Sequence, residues 1–532
     1  MRAQKAHGQG RQTILSDANI FRRHPSPHDV TELQALIATN ESSVASLNEE
    51  IEACSRQLSA LHAKSCAHTL TIRRCQAAMT LARLIPPELL ARIFEHASKM
   101  GWTRAPIVVS RVCSTWRAAA HSHPGVWSRL TVNLDMRNPV GWTDHWLSMA
   151  RQVPLHVKIM HTAPDAPLEK VLALLLEHSE RWVSLTLDLH FSSTRQVLAA
   201  CTAYFAKLRS VDVSLYVADG NLGAAEGTIE FPSAFQDAPS LISVSTTGNV
   251  LPRGLPPRLT SLHIEYTDPI GFGVGTPRSV AETLRNLSEL ETLTLRLGVL
   301  VPTPLTPPDN PGIELPKLKT LVYEDLWNGD FQILNYLSAP SLTHLHARAQ
   351  PNPEVDGSPA RLVSLLEGSP NVESLELYGV DTWPVQLSST LSLLPRLRKL
   401  YLHDSDIDDE AIERMYGRDG LCPDLQRIDL RWCQHVRGTT LVRLVESRVE
   451  EGGWGIEEVA AIGCSLVRKQ DVMQLASLTT FRVVIGERDE HCREFDLFSR
   501  HSAYSSPDLV FAQARGNVAI TSSIANGSSS IC

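Results

Sequence analysis

The chain has 532 residues, of which 43% are hydrophobic and 20% charged, and its formal net charge is −8. These values are typical of a soluble globular protein with two or three structural units. We find no N-terminal signal segment and no run of about 18 apolar residues, so we expect no membrane span and no membrane partner. The ten cysteines include no CxxC pair. They therefore argue against a compact disulfide framework and indicate reduced thiols, as in a cytoplasmic or nuclear protein.

The first predicted element is a long helix over residues 29–80, after a polar segment 1–28 that we expect to be disordered. Asp29-Val30-Thr31-Glu32 is typical of a helix start. Apolar residues then alternate at spacings of three and four over nearly seven heptads, a period that predicts a coiled coil. We call the alternating positions the seam. Its first set is Ile37, Val44, Ile51, Leu58, Ser65, Ile72 and Met79, and its second set is Leu33, Asn40, Leu47, Cys54, Leu61, His68 and Cys75.

Branched residues in the first set and leucines in the second favour a parallel dimer, in which Asn40 would determine the register. The seam therefore predicts a homodimer through residues 33–79. Ser65 and His68 weaken the seam, so pairing is expected to fade towards its C-terminal end. A single long helix that packs against the rest of its own chain is the alternative.

Residues 81–130 predict three short helices. The first begins at Pro86-Pro87-Glu88, since proline fits a first helical turn and an acid there suits the helix dipole. The second is expected to carry Val109, Val112, Cys113, Trp116 and Ala120, and the third to run from Pro124 to Leu130. Fifty residues seldom bury enough surface to be stable alone, so the apolar stripe on these helices needs a partner surface or a neighbouring domain.

The order Ile85-Pro86-Pro87-Glu88-Leu89-Leu90, Ile93-Phe94, Val112-Cys113-x-x-Trp116 and Trp127 resembles an F-box, especially those of mushroom-forming fungi. The resemblance implies binding to a Skp-type adaptor and, through it, to a cullin-RING (SCF-type) ubiquitin ligase. A helical hairpin packed inside a larger domain is the alternative. The adaptor-binding residues that the resemblance implies are Ile85, Pro86, Leu89, Leu90, Ile93, Phe94, Val112 and Trp116.

A helix-turn-helix DNA reader is a further alternative, because residues 81–130 hold seven Lys or Arg against two Glu. The whole chain nevertheless carries −8, so the remainder is strongly acidic and would repel a duplex. A basic face suits an acidic protein partner equally well, and the adaptors of the F-box family are acidic. We therefore expect no nucleic-acid partner.

From residue 131 to 487 one motif recurs about every 27 residues: an apolar residue, two variable ones, an apolar residue, an outward residue and an apolar residue. This period resembles that of leucine-rich repeats, which implies a short strand and a return helix or turn per unit. A generic α/β domain is the alternative. The copies are Trp182–Leu187, Leu259–Ile264, Leu290–Leu295, Leu318–Tyr323, Val372–Leu377, Leu397–Leu402 and Leu425–Leu430, with weaker ones at Leu208–Val213, Leu241–Ser245 and Leu342–Ala347.

The repeats depart from the family pattern, because only Cys433 occupies the Asn or Cys position three residues after the last leucine of a strand. The repeat spacing is also uneven, and copies before residue 182 and after residue 432 are hard to place. The predicted fold class is therefore α/β: an N-terminal coiled-coil helix, a three-helix F-box-like module and an irregular leucine-rich-repeat solenoid. We expect residues 488–532 to be a disordered tail.

Two short patterns are similar to known ligand-binding motifs, a dinucleotide-binding turn and a calcium-binding loop. Gly271-Phe-Gly273-Val-Gly275 spaces its glycines wrongly for a dinucleotide turn. Asp404-x-Asp406-x-Asp408-Asp409-Glu410 lacks the glycine and the glutamate that a calcium loop needs, so these acids fit the start of a helix better. We find no other catalytic or zinc-binding motif and expect a non-enzymatic chain without cofactor or metal.

A long solenoid without a catalytic motif usually binds another molecule through its outward strand positions. Tyrosine and arginine are enriched among residues that dominate binding energy. With the F-box resemblance, these positions predict the substrate-recognition subunit of a ligase, with an unknown protein substrate. A leucine-rich scaffold or inhibitor independent of any ligase, and an enzyme with a dispersed active site, are the alternatives. The predicted substrate-binding residues are Arg296, Arg348, Tyr378, Tyr401, His403 and Arg431.

Overall fold

The computed structural model describes residues 24–79, 85–161, 168–215, 229–230, 234–248, 250–268, 277–299, 312–325, 332–349, 358–379, 384–405, 407–450 and 455–484. It divides into two compact units, Met1–Leu89 and Leu90–Cys532. The predicted tail 488–532, most of the predicted disordered segment 1–28 and the glycine-rich pattern at 271–275 lie outside the described residues.

The main described element of the first unit is one long helix, α1, which spans Pro27–Ala78. It begins two residues before the predicted start, because Ser26 and not Asp29 is the N-cap. The Ser26 hydroxyl accepts from the Asp29 amide at 3.2 Å, and the Asp29 carboxylate accepts from the Ser26 amide at 2.9 Å. This reciprocal capping box, with Pro27 in the first turn, satisfies the free amides of the helix start. No residue of α1 is buried.

Four helical segments precede the sheet: α2 (Pro87–Lys99), α3 (Ala105–Ser110), α4 (Ser114–Ser122) and a 3-10 turn (Pro124–Trp127). The prediction of one second helix through Val112 and Trp116 was wrong. Cys113 is extended, with φ −159° and ψ 173°, so α3 and α4 are separate helices. The predicted third helix also ends early, since Leu130 already lies in the first strand.

The rest of the second unit is built on a sheet of fourteen parallel strands whose spatial order is their chain order. This order, with one strand per repeat, is that of a solenoid. The strands are β1 (Arg129–Asn133), β2 (Leu155–Met160), β3 (Trp182–Leu189), β4 (Ser210–Leu215), β5 (Ser243–Thr247), β6 (Ser261–Asp268), β7 (Thr292–Val299), β8 (Thr320–Asp325), β9 (His344–Ala349), β10 (Ser374–Tyr378), β11 (Lys399–His403), β12 (Arg427–Arg431), β13 (Glu458–Ile462) and β14 (Thr480–Val484).

Helices and turns connect each strand to the next. Among the described residues, two short parallel strand pairs also occur in these connections, Ile229–Glu230 with Val250–Leu251 and Ile313–Glu314 with Leu337–Ser338. The helices are α5 (Pro139–Ala150), α6 (Leu168–Leu176), α7 (Phe191–Ala200), α8 (Pro277–Leu284), α9 (Ser358–Glu367), α10 (Pro384–Ser392), α11 (Asp409–Glu413), α12 (Gly438–Glu450) and α13 (Lys469–Leu478), with 3-10 turns at Ser179–Arg181 and Gln332–Tyr336.

The strand register confirms the predicted repeat. The fourth residue of every predicted motif copy pairs with the fourth residue of the next copy, so that these residues form one buried column across the sheet. Each repeat therefore buries its leucines against those of its neighbours. The column is Leu185, Val211, Val244, Leu262, Leu293, Leu321, Leu345, Leu375, Leu400 and Ile428.

The column also continues beyond the predicted copies. Leu130 and Val157 extend it before β3 and Val459 extends it after β12, and the backbone of Phe481 pairs with Val459 in the same register. These four strands were hard to place because other residues replace leucine at most of their motif positions. Three of them nevertheless have the same apolar spacing, at Trp127–Val132, Ile456–Ala461 and Leu478–Val483. The remaining strand, β2, shows only the alternation of buried and outward residues.

Small polar side chains follow the strands of the last repeats, near the position where the family pattern has Asn or Cys. The Cys433 thiol donates to the carbonyl of Leu402 (3.4 Å), and the Cys464 thiol does the same to that of Leu430 (3.7 Å) one repeat later. Ser405, at the equivalent place after β11, donates to the carbonyl of His403 (3.1 Å). Small hydroxyl and thiol donors thus bond strand-end carbonyls in three consecutive units.

Candidate functional site

The predicted binding residues lie on two surfaces. The first is the helical module, residues 85–130. Its helix α2 has an apolar stripe that is wider than its own chain covers. Leu90 and Phe94 are 2% and 3% exposed, whereas Leu89 and Ile93 are each 51% exposed. Leu89 and Ile93 lie one helical turn apart on the same side of α2, and their apolar surface is open to solvent.

The buried half of the stripe packs inside the module. The Phe94 ring lies 5.0 Å from that of Trp116 in α4, and the Ser98 hydroxyl donates to the Val126 carbonyl. The Trp127 ring in turn meets Trp146 of α5 edge to face at 5.0 Å. Through this aromatic pair the module joins the first repeat of the sheet.

The predicted adaptor-binding residues are therefore divided. Leu90 and Phe94 are core residues, Trp116 and Ile85 are half-buried, and the remaining four are exposed. Val112, in the break between α3 and α4, is 57% exposed. Sequence reasoning missed three further exposed apolar residues of the module, which are Met100, Trp102 and Val108. The four exposed predicted residues are Pro86, Leu89, Ile93 and Val112.

The helical module also carries exposed basic side chains. Among the described residues of the module, all five cationic side chains from Arg92 to Arg117 are exposed. Glu95 offsets only part of this charge: Lys99 and His123 lie 2.7 and 2.9 Å from its carboxylate and lower its pKa, so the carboxylate stays ionised and pairs with Lys99. A surface of this charge attracts an acidic partner. The five cations are Arg92, Lys99, Arg104, Arg111 and Arg117.

The second surface is the polar strand face, which comprises the outward residues of β6 to β13. The register places residues from distant parts of the chain in two rows. The first row is His263, Thr294, Val322, His346, Glu376, Tyr401, Asp429 and Ala460, and the second is Glu265, Arg296, Glu324, Arg348, Tyr378, His403, Arg431 and Ile462.

Alternating acids and bases link the middle strands of this face. Arg296 lies between Glu265 and Glu324, at 3.4 and 3.3 Å. The next link is His346, whose Nε2 lies 3.6 Å from Glu324 and whose Nδ1 lies 3.0 Å from Glu376. These side chains hold one another in place, so the face is preorganised rather than loose.

Burial and charge set the pKa values of this chain of groups. Burial disfavours the ionised form of Glu324, but its contact with His346 and the charge of Arg296 outweigh burial and hold its pKa at about 2. Burial likewise opposes protonation of His346. The contacts with Glu324 and Glu376 outweigh it, and the pKa of His346 is raised. The two carboxylates therefore favour the protonated form of His346.

His403 faces the same glutamate yet behaves in the opposite way. It is buried, and its Nδ1 is 3.8 Å from Glu376, a weaker contact than that of His346. Burial, and after it the charge of Arg431, lower the pKa of His403 to about 4. The pKa values of His346 on β9 and His403 on β11, with β10 between them, are therefore shifted in opposite directions.

Aromatic and cationic side chains occupy β9 to β12. The Arg348 guanidinium lies 4.2 Å from the centroid of the Tyr378 ring. The Tyr378 and His403 rings are arranged edge to face, with centroids 5.6 Å apart. Arg431 bonds Asp429 through two nitrogens, at 3.0 and 3.3 Å. Stacked and bidentate contacts of this kind fix the cations in defined directions.

The structure thus brings five of the six predicted substrate-binding residues onto four adjacent strands, and Arg296 lies two strands before them. Sequence reasoning missed Arg427 and Glu458. The Arg427 guanidinium lies 5.2 Å above the Tyr401 ring and 3.1 Å from Glu458. Both residues stand directly before the fourth motif position, where the repeat pattern gave no reason to select them.

Other candidate chemistry has structural explanations in the described residues. Asp408 is the N-cap of α11, and its carboxylate accepts from the Ala411 amide at 3.1 Å. Burial raises the pKa of the Cys201, Cys422 and Cys433 thiols to about 12. No group of three or more His, Cys, Asp or Glu in the described ranges is placed to hold a metal ion. Nor is any described helix long and apolar enough to span a membrane.

No family model matches the chain, and no curated protein is significantly similar to it. Among solved structures it is similar to the TLR13–ssRNA13 complex, with 14% identity and a TM-score of 0.35 over 67% of this chain and 50% of that one. The chain thus spans about half the length of that protein. It is also similar to the yeast Rad7–Elc1 complex, with 13% identity and a TM-score of 0.33 over 78% of this chain and 97% of that one.

At these values neither similarity bears on function. The architecture is established by the chain itself, which has one parallel strand per repeat and a continuous column of buried leucines or equivalent residues. The described part of the second unit has a leucine-rich-repeat-like fold.

Proposed function

We propose that this chain is the substrate-recognition subunit of a cullin-RING (SCF-type) ubiquitin ligase. The helical module binds a Skp-type adaptor, and the polar strand face binds a protein substrate. The observation that carries the proposal is the divided stripe of α2. In a module that resembles an F-box, Leu90 and Phe94 are covered while Leu89 and Ile93 remain half exposed.

Adaptor binding uses apolar contact and charge together. Leu89, Ile93 and Val112 supply apolar surface whose removal from water stabilises a complex. The exposed cations from Arg92 to Arg117 complement an acidic partner and speed its association. The basic side chains that first raised the question of DNA binding therefore have a role at a protein interface.

Substrate binding uses the polar strand face, where Arg348, Tyr378 and Arg431 are already oriented by their neighbours. Because acids and bases alternate along this face, it suits a substrate surface of mixed charge rather than a polyanion. The chain itself performs no chemistry in this scheme. Partner enzymes transfer ubiquitin, and the chain raises the effective concentration of substrate near them.

The adaptor part is tested by co-purification of the full chain with a Skp-type adaptor. The test variant is Leu89→Asp with Ile93→Asp, which places two charges on half-exposed positions and leaves the buried stripe intact. The matched control is Val449→Asp with Met473→Asp, at 57% and 54% exposure on α12 and α13. We expect the control to recover the adaptor as the wild type does and the test variant to lose it.

Equal recovery of adaptor by both variants, or none by the wild type, would refute adaptor binding through α2. The chain would then be a ligase-independent repeat scaffold or inhibitor. In that case the exposed apolar residues of the module would have to serve another partner.

The substrate part is tested by affinity capture and peptide identification with Arg348→Ala plus Tyr378→Ala. The control, Lys317→Ala plus Lys319→Ala, removes two exposed cations that pair with Glu289 and Glu291. We expect a protein captured by the wild type and the control to disappear from the test variant, while adaptor recovery stays unchanged. Loss of that protein from the control alone would move the substrate site away from the polar strand face.

A further inference from the structure

The long helix α1 carries an unpartnered apolar seam that the proposed function does not use. Leu33 is half-buried and the other thirteen seam side chains are exposed, with Ile51 and Leu61 each at 62%. No residue of the 52-residue helix is buried. Helices in proteins gain most of their stability from packing, so a helix of this length with an uncovered seam requires a partner.

The apolar character of α1 follows the seam closely. The positions on the opposite side of the helix are mostly alanine, serine, threonine, glutamate and arginine, with Leu70 the main exception. The seam repeats every seven residues, which is the period of two helices that coil around each other. A single flat surface would instead favour a wider stripe at the period of a straight helix.

The polar residues of the seam indicate the orientation of the partner. In a parallel, in-register pair of identical helices each seam residue faces its own counterpart, so that Asn40 meets Asn40 and His68 meets His68. A fully overlapped antiparallel pair would place Asn40 against Ile72 and His68 against Val44. A buried carboxamide without a polar partner is costly, so the parallel arrangement is favoured.

The unpaired helix shows what Asn40 does without a partner. Its side-chain nitrogen donates to the carbonyl of Leu36, one turn back in the same helix, at 2.8 Å. This local bond leaves the carboxamide oxygen available to a second Asn40 across the seam. The residue is therefore able to act as a register marker.

The positions that flank the seam also permit self-association. In a parallel dimer each residue just before a first-set position faces the residue five places later on the partner helix. For the charged flanking residues these pairs are Leu36 with Glu41, Glu50 with Ser55 and Lys64 with Thr69. No two like charges meet, so nothing at the flanks opposes pairing of identical chains.

We propose that α1 forms a parallel, in-register coiled coil with α1 of a second copy of this chain. The assembly is a homodimer that carries two helical modules and two polar strand faces. Two linked binding faces raise the apparent affinity for a partner with repeated sites, without any new contact.

Three native cysteines of the full chain report on this arrangement. Cys54 and Cys75 are seam residues and face their counterparts across a parallel dimer, whereas Cys66 lies on the outer side of the helix. In the antiparallel arrangement Cys75 would face Ile37, about 57 Å from the other Cys75 at 1.5 Å per residue. Cross-linking through Cys75 therefore requires the parallel orientation.

The first experiment oxidises full-length chains with diamide, each retaining one cysteine of α1. The other two helix cysteines and those at 113, 464, 492 and 532 are serine. We expect a disulfide-linked dimer from the Cys54 and Cys75 chains and little from the Cys66 chain. Cross-linking that is equal for all three, or strongest for Cys66, would overturn the seam assignment, and cross-linking of Cys54 without Cys75 would overturn the parallel orientation.

The second experiment measures the mass of the reduced full chain by light scattering. We expect twice the chain mass of 58.7 kDa at micromolar concentration. Leu47→Lys with Leu61→Lys puts charges in the seam and should weaken association at least a hundredfold. The matched control Ala53→Lys with Ala60→Lys puts the same charges outside it and should remain dimeric. A monomeric wild type, or equal weakening by both variants, would overturn the proposal.

Discussion

His346 Nδ1 lies 3.0 Å from a carboxylate oxygen of Glu376 on the neighbouring strand. Together with Glu324 on the other side, this contact raises the pKa of His346 against the opposing effect of burial. A histidine with a raised pKa stabilises the fold while it is protonated. The stabilisation is complete below its ordinary value near 6.5 and is lost as pH rises through the raised pKa.

We therefore predict that His346→Gln destabilises the chain more at pH 5.5 than at pH 8.5. Glu324, with its pKa of about 2, is ionised in the folded chain throughout this window and adds no pH dependence there. The measurement is urea unfolding of wild type and variant at both pH values. A difference that stays constant or grows with pH would contradict the charged state assigned to His346.

His403 leads to the opposite expectation in acid. Burial and Arg431 lower its pKa to about 4, so the folded chain keeps it neutral while the unfolded chain binds a proton below about 6.5. Stability is therefore lost as pH falls from about 6.5 towards 4, by up to roughly 3 kcal/mol.

We predict that His403→Gln reduces this loss of stability at acidic pH, because glutamine binds no proton. The check is the melting temperature of wild type and variant between pH 7 and pH 4, with Tyr378 left intact in both. If the melting temperatures of wild type and variant fell by the same amount between pH 7 and pH 4, His403 would not be held neutral in the folded chain.

Arg448 on α12 is a buried cation that bonds several backbone carbonyls. Its guanidinium donates to the carbonyls of Met415, Leu421, Cys422 and Pro423, at 2.7 to 3.1 Å. These bonds join the loop after α11 to α12. We predict that Arg448→Met, which leaves the carbonyls without donors, costs about 3 kcal/mol or more.

The matched control for this prediction is Arg443→Met, an exposed arginine of the same helix. Its expected cost is below about 0.5 kcal/mol, as for most surface substitutions. Denaturant unfolding measures both. Similar free energies of unfolding for the two variants would mean that the buried network contributes little.

Ile93 and Phe94 are adjacent in α2 but belong to different surfaces. Phe94 is in the core against Trp116, and Ile93 faces solvent. We predict that Phe94→Ala costs about 3–5 kcal/mol through the cavity that it leaves, whereas Ile93→Ala costs less than about 1 kcal/mol.

Free energies of unfolding measured for the two single variants test this division directly. If Ile93→Ala were as costly as Phe94→Ala, Ile93 would be part of the core. The exposed apolar surface assigned to adaptor binding would then not exist.

Much of the architecture follows from the sequence, because each repeat unit is defined locally. The spacing of Leu293 and Leu295 predicts a strand that buries alternate residues on one side, and Leu290 is buried just before the strand begins. Every unit of this kind needs a neighbour to cover it. When units with the same spacing stack, equivalent residues of neighbouring strands pair, so the motif already implied the buried column. The period of seven in α1 was readable for the same reason, since it too is a local spacing.

Only the tertiary structure decided which residues of these patterns are covered and which meet. Leu89 and Leu90 look alike in the sequence, yet just one of them is buried, because the packing of α4 and the 3-10 turn selects one side of α2. The charge of His346 depends on Glu324 and Glu376, which lie 22 and 30 residues away and come within reach only through strand register. Contacts between strands depend on distances across the sheet, and those distances cannot be read from the spacing of residues along the chain.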